Sequence, residues 1–237
     1  MIRFNEKISS LKAESKNTFP ALTVEKNPVV LSIDKLSFNQ NKRIIEQYSI
    51  FSNEAIHMLL DGMIRTYKWP IFFREIQENI EEEMGKFTNS VPHLEIMRVG
   101  YSQELGIDTE NLVPIRETEL FISRMRKIFR SKDLPFLCGA LIAFEGIAIE
   151  EFEILDKIII GFCKKGEIPL DSLDLTRSYI DGHKDFEIGH ESHLIESASS
   201  YIEENNFEHV RDGYMNLCMI ISNWWINLEK EIKKSET

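Results

Sequence analysis

Residues 134–149 read LPFLCGALIAFEGIAI and carry a single charge, Glu145. Pro135 sits where the first turn of a helix accepts it. The apolar pattern continues in helical period to about residue 164. Strands are far shorter than that, so the stretch predicts a long helix, apolar over most of its surface and buried in a core. Its longest unbroken apolar piece, Leu134–Phe144, is too short to span a bilayer.

Outward from this helix the helical period dominates and the strand period of two is almost absent. The pattern predicts helices near 36–67, 70–85, 93–105, 115–130, 134–164, 170–204 and 207–234. Breaks fall at Trp69-Pro70, Gly85 to Pro92, Gly106 to Pro114, Asp133 to Pro135, Gly166 to Pro169, and Asn205-Asn206. Residues 1–34, with Pro20 and Pro28, read as an irregular N-terminal arm holding at most one short helix. Short connections and the lack of an internal repeat predict one domain over residues 35–237, an all-α bundle of seven helices.

The 237 residues contain 28 Lys and Arg against 39 Asp and Glu, a formal charge of −11. Without a basic cluster, that balance argues against nucleic acid and against a polybasic membrane contact. Cys138, Cys163 and Cys218 form no CxxC pair and no even disulfide framework. The opening MIRFNEKISSLKAESK has no apolar signal core. The expectation is a reduced, cytoplasmic protein with no membrane segment. A two-fold homodimer is the commonest assembly for such a chain.

Charges on core-facing stripes carry the functional signal, because a buried charge is costly unless it is paired or bound to a metal. Cys138, Leu141, Ile149 and Phe152 share a wheel face with Glu145, which must therefore point inward. Glu150 and Glu151 fall elsewhere and read as solvated. In the run Glu81-Glu82-Glu83, the stripe of Phe72, Ile76 and Ile80 takes in Glu83 and leaves Glu81 and Glu82 outside. His93 follows Pro92 at a helix start, where imidazolium is disfavoured and the neutral, metal-ligating form is favoured. Residues 176–196 read TRSYIDGHKDFEIGHESHLIE, and His183, Glu187 and His190 share a face with Thr176, Tyr179, Ile180, Leu194 and Tyr201.

Taken singly, each residue has a plainer explanation. A buried Glu is usually paired or protonated, and a buried His is usually a hydrogen-bonded core residue. Together, Glu83, His93, Glu145, His183, Glu187 and His190 bring three carboxylates and three imidazoles inward with no inward Lys or Arg. Buried carboxylates need positive charge. This donor set suits Fe or Mn and, less selectively, Zn, and it can hold two ions. Two ExxH pairs, Glu54/His57 and Glu187/His190, bring ferritin-like bundles to mind, but no long helix precedes residue 54 to supply the further Glu. His57 reads as a core or pocket residue. Cys138 reads as a small core hydrophobe or, in a metal-free bundle hydrolase of the thiaminase type, as a nucleophile with Glu145 as base. A third class is a non-enzymatic interaction protein whose inward acids form buried pairs.

The pattern of EExG followed by a His, then GALxxxE, then HxxxD/ExxH resembles the heme-oxygenase-like di-iron oxidases. The matching residues are Glu83 in the ligand slot beside Gly85, then His93, then Gly139-Ala140-Leu141 leading to Glu145, then His183, Glu187 and His190. The likeness covers about residues 35–234, and within the group it is strongest to the chlamydial protein associating with death domains and its uncharacterised bacterial relatives. One departure is Glu187, where the family usually carries Asp, one methylene shorter.

The resemblance implies a seven-helix heme-oxygenase-like bundle binding two iron ions that activate O2. The substrate would be a small amine- or carboxylate-bearing metabolite. Because the chlamydial relative is linked to making p-aminobenzoate from its own tyrosine, Tyr179 and Tyr201 on the ligand face become candidates for self-modification. The expected pocket is lined by His57, Leu141, Ile149, Tyr179 and Phe186. With no GxGxxG motif in the chain, electrons would come from the substrate or an external reductase.

Overall fold

A computed structural model describes residues 3–86 and 88–234, with the backbone alone described over 185–188. The fold is an all-α bundle. Among the described residues it has nine α-helices, two more than the periodicity predicted. They are α1 (Phe4–Thr18), α2 (Pro28–Ser32), α3 (Phe38–Arg65), α4 (Pro70–Glu83), α5 (His93–Glu104), α6 (Arg116–Phe129), α7 (Leu134–Gly166), α8 (Asp174–Ala198) and α9 (Phe207–Lys234).

The two additional helices come from the segment read as an irregular arm. In α1, Ile8, Leu11 and Ser15 form a narrow buried face. That face is short and set among charged residues, which is why the pattern is weak. Phe4 meets Phe207 of α9 edge to face. Pro28, read as a breaker, instead opens α2, where a missing N–H costs nothing. The Asn27 side chain accepts hydrogen bonds from Val29 N at 3.0 Å and Val30 N at 3.4 Å.

The long helices are stopped and started by local chemistry. Ser37 and Gln40 form a reciprocal capping box on α3. Asp133 caps α7 by accepting from Phe136 N, and Lys164 and Lys165 sit in its last turn, where cations favour the helix dipole. Helix α7 is the centre of the bundle, packed by α3, α8 and α9. Its contact with α9 is close because two glycines permit it. A Cβ on Gly139 would lie 1.9 Å from Val210 O, and one on Gly213 would lie 1.8 Å from Phe136 O.

An aromatic cluster closes the α3–α6–α9 side of the core. Phe121 stacks on Trp224 at 4.6 Å, Trp224 lies 4.7 Å from Trp225, and Tyr48 stacks on Trp225 at 6.0 Å. Both tryptophans are buried and pack within the chain. Such rings bury large apolar areas and gain further from edge and offset contacts. Among the described residues, no helix is long and apolar enough to cross a membrane.

Candidate metal centre

The last turn of α4, the first residue of α5, the middle of α7 and the face of α8 converge at one end of the core. Glu83 ends α4, because Gly85 adopts φ +98° and turns the chain away. A Cβ on Gly85 would lie 2.6 Å from Val91 O, so the turn needs glycine. Pro92 then starts α5, and His93 enters the core almost fully buried.

Glu83 Oε1 lies 3.4 Å from His93 Nδ1 and 3.2 Å from His183 Nε2. One ligand atom from each of the three residues lies within 4.8 Å of the other two. Donors about 2.1 Å from a shared ion stand roughly 3–3.5 Å from one another, so the spacing fits a common metal. Burial opposes ionisation of Glu83, but His183 and His93 outweigh it and hold the carboxyl well below the usual range.

His183 shows which of its nitrogens is available. Its Nδ1 lies 2.7 Å from the carbonyl oxygen of Tyr179, an acceptor, so Nδ1 carries the proton. Nε2 then presents a lone pair toward the Glu83 carboxylate. Two lone pairs at that distance require a positive charge between them, either a second proton or a metal ion. A ring N–H fixed on a backbone carbonyl is the usual support for a ligating histidine.

His190, two turns further along α8, makes a second set. Its Nε2 lies 2.6 Å from Glu82 Oε2 and its Nδ1 lies 3.7 Å from Glu145 Oε2. Glu145 is 4% exposed, and its Oε1 has no hydrogen-bond partner. A buried carboxylate oxygen without a donor is costly, and a cation would satisfy it. Among the described residues, Glu83, His93 and His183 therefore form the one group able to share an ion. His190 turns opposite ring nitrogens to Glu82 and to Glu145, so one ion would take Glu145 or Glu82 with His190, and not both.

Beside the cluster lies a cavity of about 300 Å³. Its walls are mostly apolar, including Phe51, Ile56, Phe144 and Ile147, with Glu83, Glu145, His183 and His190 among its lining residues. That is the common composition of a small-molecule site.

A family model for a domain of unknown function with a solved structure (DUF3865) matches residues 5–231. The chain belongs to the DUF3865 family. The DUF3865 chain is also similar to a CADD-like protein of unknown function from Nostoc punctiforme, represented by two crystal structures. The 2.00 Å structure is 26% identical with a TM-score of 0.89, covering 96% of this chain and 97% of that one. The 1.35 Å structure is 26% identical with a TM-score of 0.88, covering 99% and 97%. No curated protein matches this DUF3865 chain.

Within this DUF3865 fold, Glu83, His93, Glu145, His183 and His190 stand together. The side chains of Glu187 and Phe186, named as ligand and pocket residue, lie outside the described residues. Tyr179 is buried and lines the cavity, its ring 4.5 Å from that of His183. The other expected pocket residues sit elsewhere. His57 is exposed on α3, and Leu141 is buried against α3 near Gly62. Ile149 is half-buried on α7, where Ile147, Ala148 and Phe152 face the cavity instead.

Tyr201 is likewise displaced from the ligand face. Helix α8 ends at Ala198, six residues earlier than its pattern predicted, so the wheel no longer applies. Its ring stacks on Trp69 at 5.1 Å and its hydroxyl accepts from Ile71 N at 3.0 Å. Cys138 is fully buried, burial raises its thiol far above the usual range, and it is not among the cavity's lining residues. That environment suits a packing residue and not a nucleophile.

Glu82, placed outside the apolar stripe, and Glu151, read as solvated, both turn inward. Glu82 reaches His190 because adjacent residues at a helix end address two different levels of α8. Glu151 is 4% exposed and accepts a 2.7 Å hydrogen bond from Trp225 Nε1. No sequence period signals that contact, since the indole comes from α9.

Proposed function

We propose that this chain is a non-heme iron oxidase that activates O2 on a small molecule held in the cavity. The single observation that carries the reading is the Glu83–His93–His183 group, with Glu145 and His190 beside it, at one apolar cavity. The donor set favours Fe, with Mn as the other suitable ion. Two ferrous ions would supply electrons and open positions for O2.

The chain's own residues do the rest. Glu83, His93 and His183 would hold one ion. Glu145 and His190 would take part in holding a second, with Glu187 carried over from the family resemblance as a further ligand. The Tyr179 carbonyl keeps Nδ1 of His183 protonated and its Nε2 turned to the site. Phe144 and Ile147 exclude water and orient an apolar body beside the acids. Tyr179 stands near enough to make it the candidate for any self-modification. The reductant is the substrate or an external reductase.

Anaerobic loading with Fe(II), followed by O2 in an oxygen electrode, tests the reading. Wild type should consume O2 faster than Fe(II) in buffer, and Glu145→Gln should not. Equal uptake by the two proteins would overturn it.

A further inference from the structure

Helix α7 carries a second buried carboxyl beside the cavity, outside the Glu/His cluster. Glu151 lines the cavity about two turns beyond Glu145, toward the aromatic cluster. Oε1 accepts from Trp225 Nε1 at 2.7 Å. Oε2 is buried and has no hydrogen-bond partner. Lys16 pairs with Glu150 and Lys12 pairs with Glu191, while Arg98, which lines the same cavity, donates to Asn53 Oδ1 at 3.3 Å and makes no ion pair with Glu151. Glu151 is therefore fixed at one oxygen, unpaired at the other, and set in an apolar wall.

We propose that Glu151 is a polar anchor of the cavity, with Oε2 hydrogen-bonding a carbonyl-type acceptor on a bound apolar small molecule while Trp225 holds Oε1. Burial pushes the Glu151 carboxyl up to about 8; the Trp225 N–H pulls the other way, and Glu150 adds to the rise. The group is then protonated at neutral pH. Since Oε1 accepts from the indole, the proton sits on Oε2, which donates. A carboxylic acid kept neutral in an apolar site selects for an acceptor, because a ligand lacking one leaves the O–H unsatisfied. The ligand class is an aryl or alkyl body carrying a ketone, amide or carboxylic acid oxygen, of a size that fits a cavity of about 300 Å³. The inference rests on the cavity being the substrate site of the proposed oxidase, but it needs no metal.

The test uses metal-free full-length protein at pH 7 and isothermal calorimetry with three matched probes: 4-phenylbutan-2-one, 4-phenylbutan-2-amine and butylbenzene. Glu151→Met should weaken the ketone about tenfold and leave butylbenzene unchanged, as expected for one lost buried hydrogen bond. Glu151→Gln should keep ketone affinity within about threefold, because its amide can accept from Trp225 and donate to the ligand. Melting curves establish that each variant folds, and Trp225→Phe, which frees Oε1, should lower ketone affinity if Glu151→Met does not fold.

Several outcomes would overturn the proposal. An unchanged ketone affinity in Glu151→Met would make the Glu–Trp pair purely structural. Tighter binding of the amine than the ketone, abolished in Glu151→Gln, would make Glu151 an ion-pair partner. Absence of binding by every probe would remove the cavity as a site for this ligand class. Failure of the oxidase reading would appear separately, as absent iron binding with these affinities intact.

Discussion

Glu82 Oε2 lies 2.6 Å from His190 Nε2, although 108 residues separate the two in the chain. The contact makes the α4 terminus a double donor, with Glu82 facing His190 and Glu83 facing His183. Two adjacent acids thus address two levels of α8. This arrangement predicts that Glu82→Ala and Glu83→Ala each lower the iron content of loaded protein, by about half or more. Glu81→Ala should leave it unchanged, because Glu81 hydrogen-bonds Lys86 and Gln77 on the surface. Metal analysis after gel filtration checks all three.

The approach of α7 and α9 should be intolerant of a single methyl group. Gly213→Ala would place Cβ 1.8 Å from Phe136 O, and the neighbour is backbone and cannot rotate away. A loss of about 3 kcal/mol or more is expected, from overpacking between two core helices. Gly106→Ala is the comparison: nothing lies within 4 Å and the cost comes only from φ +66°, about 1 kcal/mol. Denaturant unfolding of both variants measures the difference.

Glu151 gives the protein a pH dependence of known sign. Its carboxyl titrates near 4.5 when unfolded and near about 8 when folded. Between those values the native state keeps a proton that the unfolded chain releases. Stability from the neutral carboxyl is therefore full below about 4.5 and lost as pH rises toward 8. Glu151→Gln removes that dependence. The stability of the variant relative to wild type should rise by a few kcal/mol, on the order of 2–4, between pH 5 and pH 8. Denaturant unfolding at both pH values tests this, and a difference independent of pH would contradict it.

Cysteine chemistry should be silent in the folded protein. Cys138, Cys163 and Cys218 are all buried. Burial pushes Cys163 up to about 11 and Cys218 up to about 12. Little thiolate exists at pH 8, so an aromatic disulfide reagent should label none of the three within minutes and all of them after denaturation. Rapid labelling of Cys138 that tracked activity would revive the metal-free hydrolase reading.

Much of this was legible in the sequence wherever one helix decided the matter. Glu145 alone in an apolar run had to face inward, and His183 and His190 sat on one face of α8 with Tyr179. His93 was placed by Pro92. What escaped depended on neighbours. Glu151 lies off the Glu145 face, yet α7 is covered on several sides by α3, α8 and α9, so its other faces are also interior. Tyr201 is misassigned by extending a wheel past the end of α8 at Ala198, whereas Ile149 lies inside α7 and is misassigned because the cavity opens beside Ile147, Ala148 and Phe152. Glu82 was missed because the last residues of a helix answer to whatever packs against its end, here α8. The α1 face of Ile8 and Leu11 was missed because two apolar residues among charges make a weak signal.

The central claim is that the converging Glu and His side chains hold metal. Iron per chain after anaerobic loading with Fe(II) and removal of excess metal, in wild type and in His190→Ala, tests it most directly. The account predicts close to two irons in wild type and a sharp fall in the variant, with His183 and its partners retaining at most one. No iron in either protein would contradict it, and would leave Glu82–His190 and Glu83–His183 as ordinary buried ion pairs.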